Sequence, residues 1–164
     1  YREVGPLLLG LTLAARVGTK NAAELASMTA NERIDALIAL GLDDKRVVLA
    51  PRIVAIVAFA FIVFPLCTTT IVGVAFLLAA LLGDQLVVVS FYSLVEYLPA
   101  THVLEGLARM VAFGALTAVV STYFGRNSGR QAKSIGAAVY SSSVAAMTAI
   151  VILNLYLSLL SGAA

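Results

Sequence analysis

Apolar residues run through this chain in long blocks, separated by short polar clusters. Residues 53–83 contain no charged side chain. A helix needs about 20 apolar residues to cross a bilayer, so this block is long enough for one tilted span, with Pro65 a candidate for a kink. Residues 134–164 are also free of charge and make another span. Met110–Phe124 is apolar and, with residues 102–109 in front, makes a third. Residues 4–28 are less pure, because they hold Arg16, Lys20 and Glu24. The pattern predicts four membrane helices over about 4–28, 52–83, 103–125 and 134–161, the first partly polar. They form one transmembrane domain over residues 1–164, and the expected class is all-α and polytopic.

The first of these helices has two faces. Gly10, Ala14, Gly18, Ala22 and Ala26 recur every four residues and form a slowly drifting stripe of small side chains. Such a stripe lets another helix backbone come close, a leading mode of association in lipid. Arg16, Lys20 and Glu24 are also four apart but offset by two residues, about 200° around the helix. The charges are therefore expected opposite the small stripe. Intramembrane charge is costly and faces protein, water or the interface. Lys20 and Glu24 also fit a simple helix-end pair at the boundary, whereas Arg16 lies deeper. Near the other end, Arg2 and Glu3 precede Gly5-Pro6. They fit either a helix start with Pro6 in the first turn or the polar lining of an outward-opening cavity.

Between the first two spans lies TANERIDALIALGLDDKR, residues 29–46. Thr29 and Glu32 match a capping box, and Gly41 suits a helix end, predicting a short helix over about 30–41. Ile34, Leu37 and Ile38 share one face, with Glu32, Arg33 and Asp35 as polar neighbours. Three turns are too few to span. Such a helix either lies on the membrane surface or docks into a groove on a partner.

Loop charge sets the orientation. Residues 29–52 hold Arg33, Lys45, Arg46 and Arg52, and residues 125–133 hold Arg126, Arg130 and Lys133. Residues 84–103 hold no Lys or Arg. By the positive-inside rule the two basic loops face the cytoplasm, and the 84–102 loop and both chain ends face outward. That outer loop, with Phe91, Tyr92 and Tyr97, reads either as a short interfacial helix or as an ordinary connection.

Composition agrees with a lipid environment. The 164 residues are 61% hydrophobic and 12% charged, far from the balance of a soluble domain. The mean hydropathy is +1.00. A formal charge of +2 without an extended basic run argues against a nucleic-acid partner. The single cysteine, Cys67, excludes an internal disulfide and a cysteine-based metal site. His102, Glu96 and Glu105 are the acid–base candidates on the outer side, but no nucleophile accompanies them, so an enzyme acting on lipids is disfavoured. Ser141, Ser142 and Ser143 suit helix packing through hydroxyl hydrogen bonds. No G-x-x-x-x-G-K-[ST] phosphate loop is present.

The run REVGPLLLGLTLAARVGTKNAAELASMTANERIDALIALGLDDKRVVLAPRIVA resembles the signature region of the MlaE-type permeases, membrane subunits of ABC systems that move lipids with MCE-domain proteins. The residues that carry the resemblance are Glu3, Gly5 and Pro6; Arg16 and Gly18; Ala23, Glu24 and Met28; Glu32, Ile34, Asp35, Ala36 and Leu37; Gly41 and Asp43; and Pro51 and Arg52. LARMVAFG and AVYSSS resemble the last two membrane helices of the family more loosely. Family members begin with an interfacial helix and one further membrane helix, so the resemblance implies that this chain enters at the second span.

The resemblance implies several further things. The short cytoplasmic helix would be a coupling helix, with Glu32, Arg33, Asp35, Leu37 and Ile38 facing a cytoplasmic ABC ATPase. ATP and magnesium would be held by that partner, with no cofactor in this chain. Two copies would form a homodimer around a phospholipid pocket, to which Arg2, Glu3, Val4 and Arg109 would contribute. An MCE-domain protein would sit on the outer side. The membrane would be a bacterial inner membrane or an organelle membrane of bacterial origin. Three departures point to altered pocket chemistry: Asp44 replaces a proline common in the family, KSIGA lacks a second arginine, and the last helix is apolar near Ile150, where an acid is usual. The competing expectation is a scaffold or assembly protein whose polar helix binds some other partner.

Overall fold

The computed structural model describes residues 4–82, 100–129 and 131–162, and every regular element among them is helical. Helix 1 is a rod of three consecutive pieces: α1 (Val4–Leu13), a π turn (Ala14–Gly18) and α2 (Thr19–Ala30). A short α3 (Arg33–Ala39) follows, then a second π turn (Lys45–Leu49) that leads into α4 (Ala50–Leu82). The bundle is completed by α5 (Ala100–Arg126) and α6 (Ala132–Gly162). The expectation for the outer loop falls on residues 83–99, outside the described residues.

Among the described residues, three stretches are long and apolar enough to cross a membrane: Lys45–Leu78, Val103–Arg126 and Lys133–Leu160. Helix 1 is about 40 Å long at 1.5 Å per residue, enough to cross as well, but its charges keep it below that apolarity. In α4 the helix continues through Pro65, and the Thr68, Thr69 and Thr70 hydroxyls donate to the carbonyls of Phe64, Pro65 and Leu66. These bonds satisfy the hydroxyls themselves within an apolar helix; the carbonyl that Pro65 leaves without an N–H donor is that of Phe61.

The π turn answers a geometric problem in helix 1. A four-residue repeat drifts around an α-helix, because four residues turn it by more than one revolution. Five repeats would carry the small stripe well away from its starting face. The wider i→i+5 winding of a π turn rotates less per residue and takes part of that drift back. Pro6, Gly10, Ala14, Gly18, Ala22 and Ala26 are accordingly all buried, while Val4, Leu8, Thr12, Arg16, Lys20 and Glu24 are all exposed.

The small face meets α5. A Cβ added at Gly10 would lie 2.8 Å from the Phe113 ring, and one at Gly18 would lie 2.9 Å from Thr117 Cγ2. Helix 1 and α5 thus form the centre of the bundle. On one side, Leu13, Ile56, Ala60, Phe64, Met110 and Ala118 bring α4 against this pair. On the other, Ala14, Phe113, Ala146 and Ile150 bring α6 against it. The outer faces of α4 and α6 remain apolar: Leu66, Leu77 and Leu81 on α4 and Ile152, Leu155 and Leu159 on α6 are each more than 60% exposed. In water such surfaces would aggregate; in a bilayer they are the faces turned to the acyl chains.

The start of the short helix differs from the capping-box expectation. Thr29 Oγ1 donates back to the Leu25 carbonyl (3.0 Å), and α2 continues to Ala30. Glu32 precedes α3 in the left-handed conformation, at φ 57°, without a side-chain cap bond. The reason is packing: Leu25 and Ala26 are fully buried, and this keeps the preceding turn helical past Thr29. The chain then reverses through Asn31 and Glu32, so α3 begins at Arg33 rather than near residue 30. Its end agrees with expectation. Gly41 has φ +76°, Leu42 N–H donates to the Leu37 carbonyl and Gly41 N–H to that of Ile38. This is the double bond pattern of a Schellman turn, in which glycine accepts a left-handed conformation that costs other residues energy.

Candidate functional site

At the end that carries the two basic loops, α3 stands out from the bundle. Ile34 is buried against it and Leu37 is half-buried, while Glu32, Arg33, Asp35 and Ile38 are exposed. Leu40 is 75% exposed just beyond them. Of the five residues expected to face a partner, four are exposed, and the fifth, Leu37, lies at the edge of the apolar face. Apolar and charged groups mixed on an exposed helix suit either a groove on a partner or the surface of a membrane.

The segment after α3 is fastened to the bundle. Asp43 Oδ1 accepts from the Lys45 N–H (3.1 Å), fixing the entry to the next helix. Asp44, only 5% exposed, receives the Arg126 guanidinium at 2.7 Å. The contact is an ion pair rather than an aligned hydrogen bond, since Asp44 Oδ2 is buried without a hydrogen-bond donor, and it compensates the charge of a buried carboxylate. It joins the segment between α3 and α4 to the last turn of α5. It also places the two basic loops at the same end of the bundle.

A second junction centres on Arg52. Its Nη1 donates to Glu24 Oε2 (2.9 Å) and Asn21 Oδ1 (3.3 Å), and its Nη2 reaches Met28 Sδ at 3.6 Å. Asn21 Nδ2 in turn donates to Ser121 Oγ (2.8 Å) and Thr122 Oγ1 (3.2 Å). Three helices, α2, α4 and α5, are therefore tied through one buried amide. Lys20 approaches Glu24 at 4.0 Å along the exposed face. Helix 1 and α4 leave a groove of about 400 Å³ here, lined by Val17, Lys20, Asn21, Glu24, Arg52, Ala55 and Ile56.

The opposite half of the bundle holds a different cleft. Arg109 on α5 is 5% exposed, and its Nη2 lies 3.5 Å from the Leu157 carbonyl on α6. With Glu105, Ala108, Ala112, Leu157 and Leu160 it lines a cleft of about 380 Å³. One guanidinium and one carboxylate, that of Glu105, among aliphatic walls suit an amphiphile with a polar head. Asn154, one turn from Leu157 on α6, has a buried Oδ1 without a hydrogen-bond partner. Of the other residues expected at this pocket, Val4 is exposed at the start of helix 1 and does not line the cleft. Arg2, Glu3 and Glu96 lie outside the described residues, and the side chain of His102 is not described.

The structure thus gathers Lys20 and Glu24 in one groove, leaves Arg16 exposed one turn deeper, and sets Arg109 in a separate cleft. Sequence reasoning missed Asn21 and the Asp44–Arg126 pair. A signal for Asn21 existed: it sits beside Ala22 on the packing side of helix 1, where an unpaired amide would be expensive. Nothing local marks Asp44 as the partner of a residue 82 positions away.

Comparison with known proteins bears on this arrangement. A family model described as Permease MlaE matches residues 1–160. The chain is 35% identical over 157 residues to a probable ABC transporter permease protein of Rickettsia prowazekii (strain Madrid E), covering 93% of this chain and 59% of that protein. It is 26% identical over 161 residues to a protein of the same name from Synechocystis, covering 96% of this chain and 60% of that protein. It is 27% identical over 161 residues to the chloroplastic protein TRIGALACTOSYLDIACYLGLYCEROL 1 of Arabidopsis thaliana, covering 96% of this chain and 45% of that protein. The chain therefore spans about six tenths of the length of the curated bacterial relatives it matches.

Proposed function

The chain belongs to the MlaE permease family and is a multi-pass membrane protein, and on that premise we propose that it is the membrane subunit of an ABC transporter that moves phospholipid. The observation that carries the reading is the separation of two features along one bundle. A cleft with a single buried guanidinium, Arg109, opens between α5 and α6 in the outer half. An exposed helix, α3, fastened through Asp44 and Arg126, projects at the opposite end. The first suits a lipid with a polar head and apolar tails; the second suits force applied by a partner. The name of the chloroplastic relative, which contains that of a galactolipid, supports lipid as the cargo class.

In this reading a separate cytoplasmic ATPase binds ATP and its magnesium ion and grips α3 through Glu32, Arg33, Asp35, Leu37 and Ile38. Closure of two such ATPases draws two copies of α3 together, so the permease acts as a homodimer. The membrane helices then move as rigid bodies, provided that the partner contacts differ between nucleotide states. The Arg109 cleft holds the lipid phosphate, and an MCE-domain protein exchanges lipid at the outer face. The site is a bacterial inner membrane or an organelle membrane of bacterial origin.

The test is reconstitution of the complete transporter with Glu32→Lys or Asp35→Lys in α3. Both variants should insert normally and lose nucleotide-dependent lipid transfer. Full transfer in both would remove α3 from the coupling role and favour a scaffold.

A further inference from the structure

The groove between helix 1 and α4 carries a charge imbalance. Lys20 and Arg52 both approach Glu24 there, so two cations meet one carboxylate and leave a local charge of +1, while Arg16 stands outside the lining on the same exposed face of helix 1. Lys20 is 79% exposed and Glu24 49%. The Arg16 side chain makes no hydrogen bond or ion pair with any described residue. Arg52 immediately precedes the uncharged run of α4, which sets Glu24 at the cytoplasmic boundary of the hydrocarbon. Arg16 lies eight residues further along helix 1, roughly 12 Å deeper. A cation there requires an anion, and hydrocarbon supplies none.

The groove is graded in the same direction. Lys20, Asn21, Glu24 and Arg52 form its cytoplasmic part, and Val17, Ala55 and Ile56 its deeper part. Polar groups toward the aqueous side and aliphatic groups beneath match the order of a phospholipid in the cytoplasmic leaflet. Arg52 is also prepared for a second ligand. Its bonds go to Glu24, Asn21 and Met28, which fix the plane of a guanidinium that has five N–H donors in all. Glu24 is in this sense a positioning residue for Arg52.

We propose that the helix 1–α4 groove binds the phosphate of a cytoplasmic-leaflet phospholipid between Lys20 and Arg52, with its acyl chains on Val17, Ala55 and Ile56. Arg16 is the next cation inward, so a headgroup leaving the groove toward the membrane centre meets a charge rather than hydrocarbon. The site is distinct from the Arg109 cleft, which lies between other helices in the outer half. Its meaning as a loading position rests on the lipid-transport reading; its occupancy does not.

The experiment uses the full chain in nanodiscs of phosphatidylcholine and phosphatidylglycerol, without nucleotide or partner. The chain has no tryptophan, so Ala55→Trp introduces a sole tryptophan in the groove, excited selectively at the red edge of absorption, and Leu66→Trp serves as a lipid-facing control on α4. Lipids brominated on their acyl chains should quench both reporters. In parallel, native mass spectrometry counts phospholipid retained after detergent washing. Arg16→Gln with Lys20→Gln should lower retention, by about fivefold for each cation removed and roughly 25-fold together. Quenching of the Leu66→Trp reporter but not the Ala55→Trp reporter would mean that a polypeptide covers the groove and would overturn the proposal. Unchanged retention in the double variant would overturn it too. The quenching arm alters no charge, so it stands even if the double variant fails to fold. A transporter reading that failed for want of an ATPase would leave both results intact.

Discussion

Gly125, at the end of α5, packs against the backbone of α2, and replacing it with alanine should part the two helices. A Cβ there would lie 2.8 Å from Leu25 Cβ, 2.9 Å from the Ala22 carbonyl oxygen and 3.1 Å from Ala22 Cα. Relaxed carbon contacts sit at about 3.5–4.0 Å, so the axes must separate by on the order of 0.7 Å. No rotamer change relieves this, because two of the three atoms are backbone and the third is a Cβ. The separation also stretches the Asn21–Thr122 bond, already 3.2 Å, beyond useful range. Overpacking of this kind costs about 1–3 kcal/mol, and the weakened hydrogen bond adds about 1 kcal/mol.

Alanine also gains up to about 1 kcal/mol over glycine in helix propensity, so a matched control is required. Gly136→Ala on α6 supplies it, since nothing lies within 4 Å of its added Cβ. The two variants should differ by about 2–4 kcal/mol, which at roughly 2–4 °C per kcal/mol is a gap of about 5–15 °C. The assay is thermal unfolding of both proteins in the same detergent. Adding Leu25→Ala to Gly125→Ala should not restore stability, because it leaves every clashing atom in place. Equal melting of Gly125→Ala and Gly136→Ala would refute the close approach of α2 and α5.

Three further outcomes follow from the end of the bundle that carries the basic loops. Arg126→Gln should destabilise more than Asp44→Asn, by about 2 against about 1 kcal/mol in the same melting assay, because only the former leaves a buried carboxylate uncompensated; the exposure of Arg126 keeps both below the fully buried range. Asn21→Leu should cost about 1–3 kcal/mol and loosen α4 as well as α5, seen as faster hydrogen exchange near Arg52 and Ser121 together. Gly41→Ala should cost about 1 kcal/mol and speed proteolysis between residues 39 and 45, while Gly41→Asn should be milder, as asparagine tolerates φ +76° better.

What could be read from the sequence was what repeats. The small residues of helix 1 recur every four positions, and that period alone placed Gly10, Ala14 and Gly18 inward and Arg16, Lys20 and Glu24 outward, as found. The uncharged blocks announced the apolar helices in the same way. Single-position signals did less well. Thr29 and Glu32 satisfy a capping pattern, yet burial of Leu25 and Ala26 extends α2 through the intended cap. Long-range polar partners were not legible, since nothing near Asn21 names Ser121 and nothing near Asp44 names Arg126. The π turn is an intermediate case: the four-residue period requires some unwinding, but not at Ala14–Gly18 in particular.

The distribution of bond types along the bundle bears on how it would move. Directional polar ties gather at the end that carries the two basic loops: Arg52 with Glu24, and Asn21 with Ser121 and Thr122, beside the Asp44–Arg126 ion pair. Such bonds fix relative rotation, since a small shift breaks them. Toward the opposite end the helices meet through Phe64, Met110 and Phe113, and α5 contacts α6 through the long Arg109–Leu157 bond. Apolar contacts are non-directional and tolerate sliding. On the transporter reading, a push on α3 therefore turns the tied end of α2, α4 and α5 as one body. The looser outer end takes up the displacement, and the junction of α5 with α6, where the Arg109 cleft lies, is the place for it to open.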